Sequence, residues 1–261
     1  LAPLLTFVAF NTGDDILGAA TVRQALSHAV NRTQILQTAF GGFGTLAAGI
    51  LPPAHWAANP DLPIPGYDPA LAAAMLNAAG LTDGDGDGWR DLPGGGPWQP
   101  AIRVEAGNRT EEAAALLVAG DYRRIGVQAQ AEPVPFETLI DDLLTHDYQA
   151  AVYSLPVPAT LDRRARWHSD QIEAEFGLNL AAYANPQVDG WLDAANTVRH
   201  CAPEARAALY RQIQAQLVED RPVDFLVAPT YFVVVKESLA GVAPGPFAPL
   251  TWNAASWDLL E

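Results

Sequence analysis

Two clusters of side chains in this sequence could hold a ligand: a run of aspartates and a run of arginines. Asp83, Asp85 and Asp87 recur at every second position, each followed by glycine, and Asp91 lies four residues further on. Oxygen ligands at positions one, three and five with glycine at six form the first half of a calcium loop. Trp89 would add its carbonyl at position seven, and Asp91 a water-mediated contact at position nine. The twelfth position is Gly94, where a calcium loop needs a bidentate glutamate. Two readings stand: a calcium site, or an aspartate-rich turn built for tight backbone geometry. Arg163, Arg164 and Arg166 form the second cluster. A guanidinium fork suits a carboxylate or phosphate; alternatively, the three are a solvated loop that offsets nearby acids.

The residues that would argue for catalysis do not converge. His28, His55, His146, His168 and His200 never fall at the spacing of a helical metal pair. There is no nucleophile elbow. The glycine clusters at 41–44 and 94–96 lack the lysine of a phosphate loop. No catalytic residue is nominated, and an enzyme is not expected. No cofactor is expected beyond the calcium reading. Cys201 stands alone in the linker His200-Cys201-Ala202-Pro203, so an internal disulfide is impossible and an inert thiol is expected.

The 261 residues carry 30 acidic against 15 basic side chains, a net charge of -15. Nucleic acid is not an expected partner, because phosphate binding needs clustered positive charge. Hydrophobic residues make up 49% of the chain, enough for a large core. No apolar run reaches the roughly 18 residues of a membrane span. The apolar start, Leu1 to Phe10, lacks the basic region and length of a signal peptide and reads as a strand.

The elements that must position these groups follow from periodicity. Thr6–Phe10 is β-prone and ends at the turn Asn11-Thr12-Gly13. Ala19, Val22, Ala25, Leu26, Ala29 and Val30 share a helix face. Thr33 is the expected cap of a second short helix. Residues 45–68 read as a long proline-rich loop, uncommon unless it wraps a surface or serves a site. Asp68 and Pro69 open a helix with apolar face Leu71, Ala74, Met75 and Ala78, stopped by Gly80. Then Ile102/Val104, a helix from Thr110 to Ile125, Val127/Ala129/Ala131, a helix from Pro135 to Leu144, and Tyr148–Leu155 give β-α-β-α-β. That run implies parallel strands with right-handed crossovers. Residues 156–182 lack a period. Two helices follow, marked by Val188, Trp191, Leu192 and Ala195, then by Ala205, Ala208, Leu209, Ile213 and Leu217. Phe225–Val235 is strand-like, and the tail is loop-rich.

Several segments, in order along nearly the whole chain, resemble family 5 of the bacterial extracellular solute-binding proteins, the peptide and nickel group. They are Val22 to Arg32, Gly42-Phe43-Gly44, Leu51-Pro52-Pro53, Tyr67-Asp68-Pro69 with Ala79-Gly80, the Asp83–Gly88 loop, Leu117 to Gly126, Asn185 to Asp189, Ala205 to Tyr210, and Pro222. Each is weakly specific alone; their order makes the resemblance specific. It implies an α/β fold: a lobe of a type II periplasmic binding protein, with a mostly parallel sheet flanked by helices. It also implies one half of a clamp whose N-terminal lobe is missing. Residues 1–12 would be the hinge or crossover strand, 13–225 the C-terminal ligand-binding lobe, and 226–261 the return strand and tail. The expected role is capture of a small solute such as a peptide between lobes and delivery to an ABC permease. The expected location is periplasmic or extracellular, with lipoprotein anchoring. The alternatives are a calcium-stabilised adhesion-type module, or an enzyme or sensor domain built on the same lobe.

In the resembled family, the segment after the third parallel strand faces the crevice. Here that is Tyr153 to Tyr183, the aperiodic stretch at a strand's carboxyl end, where open α/β sheets bind ligands. Tyr153, Leu155, Asp162, Arg163, Arg166, Trp167 and Asn179 are the expected ligand-facing residues. The competing reading of Trp167 is packing beneath the loop. Peptide binders of the family often carry an acid near an Asp-Pro here, pairing with the ligand's α-amino group. This sequence reads Pro158-Ala159-Thr160-Leu161-Asp162, so the Asp-Pro is missing and Asp162 is the nearest substitute.

Overall fold

The structure is a computed structural model that describes residues 4–157, 160–175, 177–198, 202–245, 248 and 251–259. His200, Cys201, Pro158 and Ala159 lie outside the described residues. Its centre is a six-stranded sheet in the order β2-β6-β1-β5-β3-β4. The strands are β1 (Leu4–Phe10), β2 (Gly44–Leu46), β3 (Ala101–Glu105), β4 (Gln130–Val134), β5 (Ala150–Pro156) and β6 (Val223–Pro229). A separate two-stranded ribbon joins β7 (Leu239–Ala240) to β8 (Asp258–Leu259).

The β-α-β-α-β run forms as expected: β3 pairs in parallel with both β4 and β5. β1 lies antiparallel between β5 and β6, and β2 is antiparallel to β6. The sheet is therefore mixed, with four strands running one way and β1 and β2 opposing them. The strand expected to enter as a crossover is thus an inner strand of the sheet. Pairing on both sides buries its whole length from Leu5 to Phe10, which is why it reads as an unbroken apolar run.

Helices cover both faces. Val8, Phe10 and Val152 pack toward α1 (Ala20–Ala29), α2 (Arg32–Thr38), α3 (Pro69–Ala78) and α4 (Arg109–Arg124). Leu5, Phe7, Ala9 and Tyr153 pack toward α5 (Phe136–Thr145), α7 (Pro186–Thr197) and α8 (Pro203–Asp220). A short helix, α6 (Arg164–Trp167), lies in the aperiodic segment. The period-two alternation of β1 thus sends odd residues to one core and even residues to the other.

Helix starts follow cap chemistry. Asp68 accepts from the Leu71 amide at 2.9 Å with Pro69 behind it, as the sequence implies. Asn31, not Thr33, caps α2, accepting from the Gln34 amide at 3.0 Å. Asn108 caps α4 and Asn185 caps α7. Some faces rotate from expectation. On α3 the buried residues are Ala72 and Leu76, while Leu71 is exposed. The helix expected from Thr110 to Ile125 forms as α4, with Ala115, Val118 and Tyr122 facing the core and Leu116 exposed. On α8 Ala205 and Ala208 are exposed, and Ala207 and Tyr210 are buried. Alanine-rich helices leave the face underdetermined, because small residues are tolerated on either side. Val127 and Ala129 are buried ahead of β4 rather than in it, and β6 ends at Pro229, whose missing N–H stops the ladder.

The loop 45–68 begins as β2 and then wraps the α8 side. Ile50, Leu51 and Ala57 are buried in the core beside Tyr153. The Gln214 side chain donates to the Ala57 carbonyl at 3.0 Å, fixing the loop to α8.

Candidate functional site

Parallel strands β3, β4, β5 and β6 all end on one edge of the sheet, and β1 begins there. At that edge the chain leaves β5 into the aperiodic segment. A shallow depression, enclosing about 40 Å³ of space, lies on the α8 side of the sheet. Leu5, Phe7, Phe225, Leu155, Ile50 and Trp167 form its apolar walls, and Arg163 and Arg166 are its cations.

Cross-strand pairing builds its floor. Phe7 sits opposite Tyr153 on β5 and Phe225 on β6. Its ring meets Tyr153 edge to face at 4.8 Å and Phe225 at 6.2 Å. Such aromatic pairs add to burial alone. Burial pushes the Tyr153 phenol well up, opposed by Arg166 nearby. A bulge in the β1–β6 register sits between Thr6 and Phe7, so the ladder is re-aimed at the crevice rim.

The structure separates the three arginines. Arg164 turns outward to Asp170 and Asp193 on the surface. Arg163 is buried, and its guanidinium donates to the carbonyls of Thr160 at 2.8 Å and Asp162 at 3.1 Å. Its own amide donates to the Tyr210 hydroxyl at 3.2 Å. It braces the loop. Arg166 is half-buried on the crevice wall. Desolvation by burial lowers its pKa, and Tyr153 is the group that counters this. Among the described residues nothing takes a hydrogen bond from its guanidinium.

Of the residues expected to face ligand, Leu155, Arg163, Arg166 and Trp167 come together on this wall, with Tyr153 against Phe7 at its floor. Trp167 is 8% exposed and stands edge to face with Tyr183 at 6.4 Å, so it both packs the loop and lines the crevice. Asp162 is exposed, is not among the lining residues, and accepts from the Arg164 amide at 3.0 Å, starting α6. Asn179 is 1% exposed. Its side chain donates to the carbonyls of His168 and Tyr183 and accepts from the Tyr183 amide. It clamps the segment 168–183 from within. Ser169 is held in turn by Asp189, through its amide at 2.9 Å and its hydroxyl at 2.5 Å. Leu5, Phe7, Ile50 and Phe225 are lining residues that sequence reasoning did not single out. For the first two the sequence offered only an unbroken apolar run, which does not tell one face of β1 from the other.

A second depression opens at the same sheet edge on the α4 side, where Glu111, Ser154, Phe43 and Phe232 meet. Glu111 is 7% exposed; desolvation pushes its carboxyl up, partly offset by a hydrogen bond from Ser154.

The aspartate loop precedes β3 and so lies at the opposite end of the sheet. Carboxylate oxygens of Asp83, Asp85 and Asp91 lie within 4.8 Å of one another; Asp87 is not in that group. All four carboxylates already accept backbone N–H groups. Asp83 takes Gly86 and Gly88, Asp85 takes Asp87, Asp87 takes Trp89, and Asp91 takes Gly84. Arg90 leaves this loop for the interior, donating to the carbonyls of Leu81 and Ile125 and to Asn77.

This mixed α/β sheet with helices on both faces has the fold of the type II periplasmic binding proteins. The family model described as bacterial extracellular solute-binding proteins, family 5 (middle), matches residues 2–163, and the chain belongs to that family. It is similar to the oligopeptide-binding protein AppA of Bacillus subtilis, 27% identical over 265 residues, which cover 100% of this chain and 48% of that protein. The structure of AppA in complex with a nonapeptide superposes with a TM-score of 0.88 at 26% identity, covering 100% of this chain and 51% of that one. Heme-binding protein A of Haemophilus influenzae is 27% identical over 267 residues, 97% of this chain and 44% of that protein. NikZ from Campylobacter jejuni, solved with Ni(L-His), shares the fold with a TM-score of 0.85 at 22% identity, covering 99% of this chain and 53% of that one. The chain spans about half the length of the curated relatives it matches. Among the described residues no helix is long and apolar enough to cross a membrane.

Proposed function

We propose that this chain is one lobe of the solute receptor of an ABC importer, and that its solute rests on the crevice at the carboxyl edge of the sheet. One observation carries the reading: aromatic and aliphatic walls from four separate elements converge on that edge around Arg166. Binding without turnover is the reading that the family's description as solute-binding proteins supports. A second lobe of the same protein would close over the solute by hinge motion, and the closed form would dock on the permease. The match in fold and sequence to AppA supports an oligopeptide or a molecule of similar size. We place the full-length protein outside the cytoplasmic membrane as a lipid-anchored receptor.

The test is a thermal-shift screen of the full-length protein against peptides, sugars and metal chelates, followed by calorimetry. A true solute raises Tm with concentration over Kd. Alanine at Trp167 should weaken that solute while the fold is kept. A screen in which every solute leaves Tm unmoved, with import unchanged in a strain lacking the gene, would sink the receptor reading.

A further inference from the structure

Arg166 is a cation on an apolar wall, and its guanidinium has no acceptor among the described residues. The chain carries twice as many acids as bases, yet no carboxylate among the described residues forms an ion pair with this guanidinium. The exposed neighbour Arg164 has two such partners. Arg163 has spent its hydrogen bonds on the loop carbonyls of Thr160 and Asp162. Taking a guanidinium partly out of water without a counter-charge is unfavourable. A partner from the solute would relieve that cost when the crevice closes.

We propose that Arg166 is the anion subsite of this crevice, and that the solute presents a single carboxylate to it beside an apolar group. This rests on the receptor reading above. The chemistry favours a carboxylate over a phosphate. One guanidinium fork matches one carboxylate, two N–H donors to two oxygens. A phosphate dianion would bring two charges to apolar walls where Arg163 is already engaged with the carbonyls of Thr160 and Asp162, in a chain of net charge -15. Leu5, Phe7, Leu155, Trp167 and Phe225 surround the site, so the group next to the carboxylate is aliphatic or aromatic. The α-carboxylate of a peptide ending in an apolar residue and an arylalkyl monocarboxylate share this chemistry.

The experiment compares matched acids and amides on the full-length protein. The probes are a tripeptide mixture with apolar C-terminal residues, the same mixture amidated, and phenylpropionate against its amide, each read by thermal shift and calorimetry. The wild-type protein should bind the acid forms roughly tenfold or more tighter than the amides, the scale of a charge-assisted hydrogen bond. Tripeptide preference with phenylpropionate indifference assigns the carboxylate to a peptide end; the reverse assigns it to a small acid. Arg166→Gln should abolish the preference by weakening the acid and leaving the amide unchanged, and Arg166→Lys should restore part of it. Arg164→Gln, which removes the same charge away from the crevice, should keep the preference in full. Equal binding of acid and amide by the wild-type protein, or a preference that survives Arg166→Gln, overturns the anion subsite and leaves the receptor reading standing. Import of a solute with no anionic group, bound equally by wild type and Arg166→Gln, does the same. Loss of both import and all solute binding removes the receptor reading, and the subsite with it.

Discussion

Phe7 and Tyr153 face one another across the β1–β5 ladder, ring edge to ring face at 4.8 Å. The contact joins the first strand of the chain to the strand that ends at the crevice. Phe225 extends it to a third strand. The crevice floor is therefore a product of sheet register: Phe7 meets Tyr153 through a regular ladder and Phe225 across the bulge between Thr6 and Phe7. Truncating the central ring should cost as a large core deletion does. Phe7→Ala is expected to lower stability by about 3–5 kcal/mol in urea unfolding. Tyr153→Phe should be nearly neutral for stability; a large loss would show that the hydroxyl, not the ring, holds the floor.

Arg32 and Asp224 form an ion pair with side chains 2% and 0% exposed, shared with the Ser27 hydroxyl at 2.6 Å. Arg221 stands 3.7 Å from the same carboxylate. Removing the acid leaves buried positive charge unmatched. Asp224→Ala should destabilise by roughly 3–5 kcal/mol, and a double change to Arg32→Met with Asp224→Leu by clearly less. Denaturant titrations of both variants decide it; equal losses would contradict the desolvation argument.

Glu111 gives a pH signature. Burial raises its folded pKa above the ordinary value of 4.5, against the hydrogen bond from Ser154. With the folded pKa above the unfolded one, the folded state favours the protonated acid. Its contribution is full below pH 4.5 and is lost as pH rises through the folded pKa. Glu111→Gln should thus gain stability relative to the wild type across that window. Urea midpoints measured from pH 4 to pH 8 should diverge upward; parallel lines would mean the carboxyl is not strained by burial.

Asn179 ties together His168, Tyr183 and its own loop through three hydrogen bonds. Asn179→Ala should cost about 1–3 kcal/mol and should raise hydrogen exchange over residues 168–183 before it affects the helices. Exchange that stays protected would assign the order of that segment to Trp167 and Tyr183 packing instead.

The aspartate loop is expected to stand without an ion. Its own amide-to-carboxylate bonds already hold the turn in shape, and a glutamate is absent at the twelfth position. Asp83→Ala should lower stability by about 1 kcal/mol, while millimolar calcium added to chelator-treated protein should leave both Tm and calorimetric heat unchanged. A saturable heat, or a Tm that climbs with calcium, would restore the calcium reading.

Much of this fold is legible locally. Asp68 with Pro69 marks a helix start because its cap chemistry involves neighbours along the chain. The period of Ile102 and Val104 marks a strand with one face buried and the other partly open. The faces of α3 and α8 are not legible, because alanine fits either side and only the neighbouring surface selects one. Mixed strand direction is not legible either: β1 looks the same to its own residues whichever way its partners run.

The segment from Tyr153 to Tyr183 is legible as a candidate site because it lacks a period at the end of a predicted parallel strand. Its internal division of labour was not. Three arginines within four residues are equivalent in sequence; in space one is salt-bridged on the surface, one braces carbonyls, and one lines the crevice. By itself the sequence determined the Asp68 cap, the alternation of Ile102 and Val104, the acidic loop and the family's order of motifs, features carried by residues close together in the chain. The tertiary structure alone decided the crevice. It joins residues 5, 7, 50, 155, 166 and 225, and only sheet register and helix packing, which act over long sequence separations, can bring those positions to one wall.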